Sequence, residues 1–423
     1  MAKMRRFGKN CMQNLLIAAL SVSAVLLLAE LGLPAQETGG GYLSGLFSAG
    51  TASGDRTQDQ QPDLAAPVRV AVTGNYGRYG DLTLTTADDA FSSLGRLLGE
   101  ALGSAGDSTE CSAAEFRQSL ENTSLYYDFG TALPLSVLEN FLGADGGEDE
   151  QTAQRMVLAA SGDTVALYLS DGTVYRRCET RIPPESLTQL VSRYQLGNAS
   201  FAFDLEDQPG LMPYSLFLTG DQASYPVLSA SNALTDQDAL LQNFGFNPHI
   251  NSRYTESSGA EVVREEERTL RIQTDGTVLF QDGGNTPAFQ ISAQGEIPTA
   301  KEAVKGAYRL LSAQLTAVEG DAALCLRSAS LTGQVWTVQF DRQVGGVLLR
   351  RSDGQPAAQV VLNGKSVASC SLSFRQYRTT AQDSLLLPLT QALAIAKSHR
   401  GAQLEIVYQD GGSDSVSAVW LAD

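Results

Sequence analysis

Histidine is scarce in this sequence, which limits the metal and proton-transfer chemistry that the chain can support. Its two histidines, His249 and His399, lie 150 positions apart. Neither has a cluster of further ligands nearby, whereas a structural zinc site needs four. His249 follows a proline in a predicted turn, and His399 closes a predicted helix, where a cation complements the helix dipole. We therefore expect no metal site and no cofactor.

The motifs of common enzyme families are absent too. The patterns HExxH, GxSxG, SxxK and Walker A do not occur, so nothing indicates a metalloprotease, a serine hydrolase or a nucleotide site. The glycine-rich run Gly74–Gly80 lacks GxGxxG spacing and a following lysine, and we interpret it as a loop. The acidic runs Glu148–Glu150 and Glu265–Glu267 are typical of a solvated surface, although paired carboxylates can cleave glycosidic bonds. Asp410–Asp414 (DGGSD) lies between two predicted strands, which favours a hairpin loop over a weak calcium site.

Cysteine is infrequent and shows no CxxC pair, so the sequence contains no thioredoxin-like redox motif. A disulfide between Cys325 and Cys370 is compatible with the sequence, but spacing alone cannot assign connectivity. The alternative, which we favour, is that the cysteines outside the membrane segment are small buried apolar residues. The five cysteines are Cys11, Cys111, Cys178, Cys325 and Cys370.

Basic residues are fewer than acidic residues, and they are unevenly distributed along the chain. The chain has 30 lysines and arginines against 47 aspartates and glutamates, a net charge of −17. Residues 1–12 nevertheless contain four basic residues and no acid. The rest of the chain is therefore strongly acidic and repels nucleic acids and anionic lipid headgroups. We exclude nucleic acid as a partner.

A long apolar run follows the basic tail. Asn14–Leu33 has 20 residues and a single charge, Glu30, near its far end. A helix of about 20 apolar residues spans a bilayer. We predict a transmembrane helix over residues 13–33, with the tail of residues 1–12 in the cytoplasm by the positive-inside rule. The protein is then a single-pass cell-membrane protein whose bulk lies outside the cytoplasm. A signal peptide cleaved near Pro34 is the alternative.

Small side chains on the predicted membrane helix indicate that it packs against another helix. Ala18, Ser21 and Ala24 permit close approach of a neighbouring backbone. Glu30 lies at the outer interface or makes a polar contact with another membrane helix. These four residues are our candidate membrane-helix contacts. Residues 34–66 are rich in glycine, serine and other small or polar residues, a composition that predicts a flexible linker.

The remaining sequence alternates helical and strand patterns, which predicts an α+β fold. We expect extracytoplasmic domains over residues 67–200, 201–297 and 298–423, each an antiparallel sheet with helices on one face. Dipeptides such as Asp275-Gly276 and Asn363-Gly364 predict hairpins. Helical periodicity covers Thr86–Leu102, Cys111–Leu120, Pro134–Leu142, Pro184–Tyr194, Thr235–Phe244, Thr299–Ala313 and Leu385–Ser398.

Several stretches resemble the YycH/YycI family of Gram-positive bacteria. The clearest is Leu240–Phe280, in which a helix ends in a glycine–asparagine turn and leads to an acidic strand and an RTLRI hairpin with a D-G turn. Upstream, Leu125–Phe129 followed by Leu133-Pro134 looks like the first YycH domain. Downstream, Val335–Phe374 resembles the domain that YycH shares with YycI. The anchor and the chain length fit YycH better than the shorter YycI.

This resemblance implies a regulator of the cell-wall sensor histidine kinase known as YycG or WalK. Members of the family contact the kinase through their transmembrane helices and outer domains, and a YycI-like sister protein is a further expected partner. We therefore predict a membrane-anchored regulator of a two-component system for cell-wall homeostasis, acting through protein contacts. One alternative is a binding module for an envelope ligand or protease that works by strand addition. The other is an extracytoplasmic enzyme.

Overall fold

A computed structural model describes residues 64–82, 89–144, 151–205, 211–219, 224–315, 318, 320–396, 399 and 401–422. The predicted tail, membrane helix and linker up to residue 63 lie outside these residues. Within them the chain forms seven α-helices and 23 strands, and the strands belong to four sheets. The prediction of a mixed α+β fold with antiparallel sheets is confirmed.

The first large sheet has seven antiparallel strands. They are β1 (Arg69–Gly74), β2 (Gly77–Leu82), β3 (Thr109–Glu110), β4 (Ser124–Pro134), β5 (Thr152–Ser161), β6 (Thr164–Ser170) and β7 (Tyr175–Glu179), in the spatial order β2-β1-β4-β5-β6-β7-β3. The interpretation of Gly74–Gly80 as a loop is wrong in its second half, because Gly77–Gly80 pairs with β1. The turn itself is confined to Asn75 and Tyr76.

Four helices pack on this sheet, and they cover both of its faces. They are α1 (Asp89–Ser104), α2 (Ala113–Ser119), α3 (Leu135–Phe141) and α4 (Pro184–Val191). Helices α1, α3 and α4 share a hydrophobic cluster with Val70 and Tyr127, whereas Phe116 of α2 packs with Tyr126 on the opposite face. The expectation of helices on one face is therefore wrong here. The reason is that the central strands are apolar on both sides, so both sides need a cover.

A two-stranded ribbon and a three-stranded sheet follow in the chain. Phe201 in the ribbon stacks edge-on against Tyr126, with ring centroids 5.1 Å apart, and so helps cover the α2 face of the first sheet. The ribbon is β8 (Ala199–Phe201) with β9 (Leu216–Leu218), and β10 (Pro226–Asn232) is the central strand of the three-stranded sheet.

The second large sheet has eleven strands, which lie on both sides of the boundary predicted between residues 297 and 298. Ten of them follow the order β11-β12-β13-β14-β19-β18-β16-β17-β21-β23. The eleventh strand, β15, lies off this path and pairs with β16. Only β17 and β21 pair in parallel among the described neighbours. The strands from β11 onward are β11 (Ser252–Thr255), β12 (Glu261–Glu265), β13 (Arg268–Ile272), β14 (Thr277–Asp282), β15 (Ala322–Thr332), β16 (Val335–Val344), β17 (Val347–Arg351), β18 (Ala358–Asn363), β19 (Ser366–Ser373), β20 (Arg375–Asp383), β21 (Leu404–Asp410), β22 (Ser415–Val416) and β23 (Ala418–Ala422).

Strands β20 and β22 flank β10 in the three-stranded sheet. Three further helices complete the described structure, namely α5 (Gln237–Asn243), α6 (Ala300–Leu315) and α7 (Leu389–Ala396). The final helix begins four residues later than predicted, because Pro388 disfavours helical geometry at the residue before it. Buried residues of α1 and of α6 belong to one continuous core, which runs from the first large sheet to the second.

Candidate functional site

The candidate contact residues of the membrane helix lie outside the described residues. Ala18, Ser21, Ala24 and Glu30 all precede residue 64, so their contact role stays a prediction. In the part of the chain that the structure describes, no helix is long and apolar enough to cross a bilayer.

The first described residues lie between the two large sheets. The Leu64 carbonyl accepts a hydrogen bond of 2.7 Å from the Leu326 amide of β15, which belongs to the second sheet. Ala65 is only 2% exposed. The Val68 amide then donates to the Asp128 carbonyl of β4 at 2.8 Å, which begins pairing with the first sheet. The chain that comes from the predicted membrane anchor thus enters the folded body at the junction of the sheets.

A buried cluster of charged side chains lies next to this entry point. Arg69 of β1 donates one hydrogen bond of 2.8 Å to the Asp128 carboxylate and another to the Glu405 carboxylate of β21. Glu405 also pairs with Arg350 of β17 at 3.0 Å. Asp128 is fully buried, and Arg69 and Glu405 are each 6% exposed. The guanidinium of Arg69 therefore joins carboxylates from the two large sheets.

Further polar groups surround the Asp128 carboxylate. The Gly130 amide donates to it at 2.8 Å, and the Tyr126 hydroxyl and the Gln403 side-chain amide donate at 3.3 Å. Arg155 of β5 lies 3.9 Å from it and donates to the Gln403 side-chain oxygen at 2.8 Å. Gln403 immediately precedes β21, so it is a second link between the sheets.

The electrostatics of this cluster favour the charged forms of Asp128 and Arg69 and the neutral form of Tyr126. Burial alone would raise the pKa of Asp128, but Arg69 and Arg155 hold it below its usual range. Burial likewise opposes the charge on Arg69, yet Asp128 and Glu405 raise the pKa of its guanidinium above its usual value. Burial and the Asp128 charge raise the pKa of Tyr126, so this phenol stays protonated. Buried ion pairs of this kind, beside a phenol that stays protonated, suit a structural link between the sheets better than acid–base catalysis.

Sequence reasoning missed this cluster, although a signal for it is present. Arg69 interrupts an apolar strand between Val68 and Val70, and Asp128 lies between Tyr127 and Phe129. A charge within an apolar strand is costly to bury without a partner, so each position indicates a buried ion pair. The partner Glu405 could not be identified, because nothing local connects β1 with a strand 336 positions away.

The described residues contain no group of three or more histidine, cysteine or acidic side chains placed to hold a metal ion. Cys111, Cys178, Cys325 and Cys370 are all free thiols, so the possible disulfide between Cys325 and Cys370 does not form. These two lie on β15 and β19, which are not neighbours in the sheet.

The DGGSD segment forms a loop between β21 and β22, as predicted. The Asp410 carboxylate accepts hydrogen bonds from the Tyr377 hydroxyl at 2.6 Å and from the Gly412 amide at 2.8 Å. Arg375 pairs with the same carboxylate at 2.8 Å. These partners occupy the oxygens that a calcium ion would need.

Two exposed apolar surfaces could contact other proteins. Leu385, Leu387 and Ile395 are 97%, 42% and 58% exposed around α7. Ile250 and Tyr254 are 74% and 49% exposed at β11, which is an end strand of the second large sheet. Exposed apolar groups next to an unpaired strand edge favour association with another chain.

Comparisons of the sequence with protein-family models and with curated proteins find no match. Among solved structures, the crystal structure of YycH from Bacillus subtilis is similar, with a TM-score of 0.53 and 10% sequence identity. The similarity covers 85% of this chain and 94% of that chain. An uncharacterized protein from Eubacterium rectale has a TM-score of 0.32 and 11% identity, covering 47% of this chain and 76% of that chain. The described part of the chain has a YycH-like fold.

Proposed function

We propose that this protein is a membrane-anchored, extracytoplasmic regulator of a sensor histidine kinase of the YycG (WalK) type, and that it has no catalytic activity. It acts by contacts of its membrane helix and outer surfaces with the kinase and with a YycI-like sister protein. The observation that carries the proposal is the YycH-like fold, which extends over 85% of the chain. The basic tail and the apolar run of residues 13–33 support the membrane anchor.

The junction between the sheets explains how such an anchor would act on the whole body. The chain enters beside Arg69, whose ion pairs hold both large sheets. The anchor thus holds near the membrane a body whose two sheets are joined, so that a contact between the kinase and either sheet acts on both. A change in the kinase requires that the protein contact its two states differently, and a rigid body transmits such a difference better than independent domains do.

The predicted linker limits how far the body can move from the membrane. A chain of small and polar residues as long as residues 34–63 has an average end-to-end distance of about 30 Å. Confinement of this kind raises the effective concentration of the body near any neighbour in the same membrane. Weak contacts therefore suffice for regulation.

The proposal is tested by purifying the full chain from membranes that also contain the kinase. We expect enrichment of the kinase over an unrelated single-pass protein expressed at the same level. Replacing residues 13–33 with an unrelated membrane helix should abolish or strongly reduce this enrichment, because helix contacts are lost while the anchor is kept. Equal recovery of the kinase and the unrelated protein would refute the proposal.

The second candidate function is a binding module that adds a strand of a ligand or protease to β11. The observation in its favour is the end position of β11, together with the exposure of Ile250 and Tyr254. Tyr254→Lys should then abolish binding, since a lysine on an edge strand disfavours pairing. Activity that survives the exchange of the membrane helix but not Tyr254→Lys would favour this function over the first.

A further inference from the structure

Three of the few lysines in this chain lie close to one another on α6 and beside it. The chain has six lysines, and Lys301, Lys305, Lys365 and Lys397 are those beyond the basic tail. Lys301 and Lys305 are exposed on α6 together with Arg309, at intervals of four residues, and therefore project from the same side of the helix. The charge of Lys365 acts on Glu302 of the same helix. A strongly acidic protein thus carries a local positive surface.

This surface is concave. The side chains of Lys301, Lys305 and Arg309 line a groove of about 180 Å³ together with Ser292 and Gly306. Gly306 brings the backbone close to the neighbouring segment, because a Cβ atom there would lie 2.5 Å from the Ile291 side chain. The groove therefore lies where α6 packs closely against the segment that precedes it, and its lining includes three cationic side chains and a serine.

The one acidic residue that lines the groove, Glu302, already accepts hydrogen bonds from the protein itself. One Glu302 oxygen accepts hydrogen bonds from the Thr299 amide at 2.9 Å and the Thr299 hydroxyl at 3.0 Å. The other accepts from the Gln294 amide at 2.9 Å. Burial would raise the pKa of Glu302, but these hydrogen bonds hold it below its usual range. The carboxylate is thus directed to the start of the helix and caps it.

The three cations of the groove lack the pairing that is common elsewhere in this protein. Arg253, Arg268 and Arg271 each form an ion pair with a glutamate or an aspartate. Within the described residues, no carboxylate lies within ion-pair distance of Lys301, Lys305 or Arg309, although Glu302 is their neighbour on the helix. Their ammonium and guanidinium donors are therefore available to a ligand.

We propose that this groove of Ser292, Lys301, Lys305, Gly306 and Arg309 binds a phosphate or phosphodiester group. Lysine binds phosphate as a point charge and arginine binds it through two parallel hydrogen bonds. The Ser292 hydroxyl supplies a further donor. The negative charge of the rest of the protein repels free anions, so binding is confined to this groove. The site is independent of the proposed kinase contact, because it requires no partner protein.

Calorimetric titration of the full chain in a neutral detergent tests the proposal. The titrants are inorganic phosphate and glycerophosphoglycerol, at an ionic strength held constant with chloride. We expect saturable binding that is weakened about tenfold or more in the double variant Lys301→Gln, Lys305→Gln, since two charge-assisted hydrogen bonds to the anion are lost. The control variant Arg193→Gln, Arg264→Gln makes the same change in net charge at two exposed positions away from the groove and should bind like wild type.

The two titrants distinguish the sources of the ligand. Binding of inorganic phosphate alone indicates a free phosphate or a monoester, and binding of glycerophosphoglycerol indicates a lipid headgroup or a polymer with phosphodiester links. Absence of saturable binding of both to the wild type would overturn the proposal. An equal loss of binding in the lysine and arginine variants would do so too, because it would show only a response to net charge. Circular dichroism checks that both variants are folded, and neither changes a buried residue.

Discussion

Arg69 and Glu405 are 336 positions apart in the chain, yet their side chains form a buried ion pair between the two large sheets. Arg69 also pairs with Asp128 of its own sheet. Its position five residues after Leu64 places it beside the segment that leads to the predicted membrane anchor. The pair is therefore the point where the entering chain, the first sheet and the second sheet meet.

Removing one partner of this pair should destabilise the protein strongly. Glu405→Gln leaves Arg69 and Arg350 with less compensating charge in a buried site, and a broken buried pair typically costs about 3–5 kcal/mol. The measurement is the free energy of unfolding from urea denaturation. The control is Glu100→Gln, which breaks the exposed pair of Arg96 and Glu100 on α1 and should cost less than about 0.5 kcal/mol. Equal effects of both variants would contradict the structural role of the cluster.

The stability of the protein should fall in acid because of Asp128. Its pKa in the folded state lies below the usual value, which is about 3.9 for an unfolded chain. A lowered pKa contributes stability that is fully present above the unfolded pKa and is lost as the pH falls toward the folded pKa. We expect the free energy of unfolding to decline below about pH 5, and Asp128→Asn should reduce the slope.

A second variant keeps this pH prediction testable where Asp128→Asn fails to fold. Hydrogen bonds from the amide and hydroxyl of Thr379 hold the pKa of Asp321 below its usual range. Asp321 lies at the surface, so Asp321→Asn should fold and should also reduce the acid dependence, by a smaller amount. A wild-type free energy of unfolding that stays constant from pH 6 to about pH 3 would contradict the assignment of both shifts.

Local patterns predicted the helices and tight turns well. The prediction Thr299–Ala313 corresponds to α6 at Ala300–Leu315, because its apolar spacing is a local signal. The structure adds a capping box between Thr299 and Glu302, which is local as well. The D-G turn at Gly276 and the N-G turn at Gly364 have positive φ angles of 83° and 55°, as hairpins of this kind require.

Pairings between distant strands could not be predicted. The three-stranded sheet joins β10 to β20 and β22, more than 140 positions away in the sequence, and no local pattern specifies such a partner. The continuous segment Ser366–Gln376 is divided between two strands, β19 and β20, that belong to different sheets. The Arg342 guanidinium donates to the Ser373 and Arg375 carbonyls at this break. A long-range contact therefore stabilises the break between the two strands, and the alternation of apolar residues gives no sign of it.

The thiols in the described body should react slowly while the protein is folded. Cys178, Cys325 and Cys370 are buried, and burial raises the pKa of Cys370 to about 12, whereas only the thiolate is nucleophilic. Maleimide labelling followed by mass spectrometry should modify the partly exposed Cys111 first, and Cys370 only on unfolding in urea. Reducing agent should leave the free energy of unfolding unchanged. A loss of stability on reduction would reveal a disulfide that the structure does not contain.

Replacing two helical glycines by alanine should change the free energy of unfolding in opposite directions. A Cβ atom at Gly306 of α6 would lie 2.5 Å from the Ile291 side chain, whereas the nearest atom to a Cβ at Gly103 of α1 is 4.0 Å away. Gly306→Ala should therefore destabilise the protein by about 1–3 kcal/mol through overpacking. Gly103→Ala should stabilise it by up to about 1 kcal/mol, because alanine is the better helix former and nothing opposes it there.

Urea denaturation of the two variants under the same conditions provides the comparison. Both variants replace glycine by alanine within an α-helix, so helix propensity favours the alanine in each. The difference between the two changes in the free energy of unfolding therefore reports the contact with Ile291. Relief of the effect at Gly306 in the background Ile291→Ala, measured against Ile291→Ala alone, would confirm that contact, because this substitution removes Cγ2 and Cδ1, which lie 2.5 and 3.2 Å from the added methyl. A stabilising effect of Gly306→Ala would instead mean that the segment before α6 can move away from the helix, and that the close packing beside the groove does not constrain it.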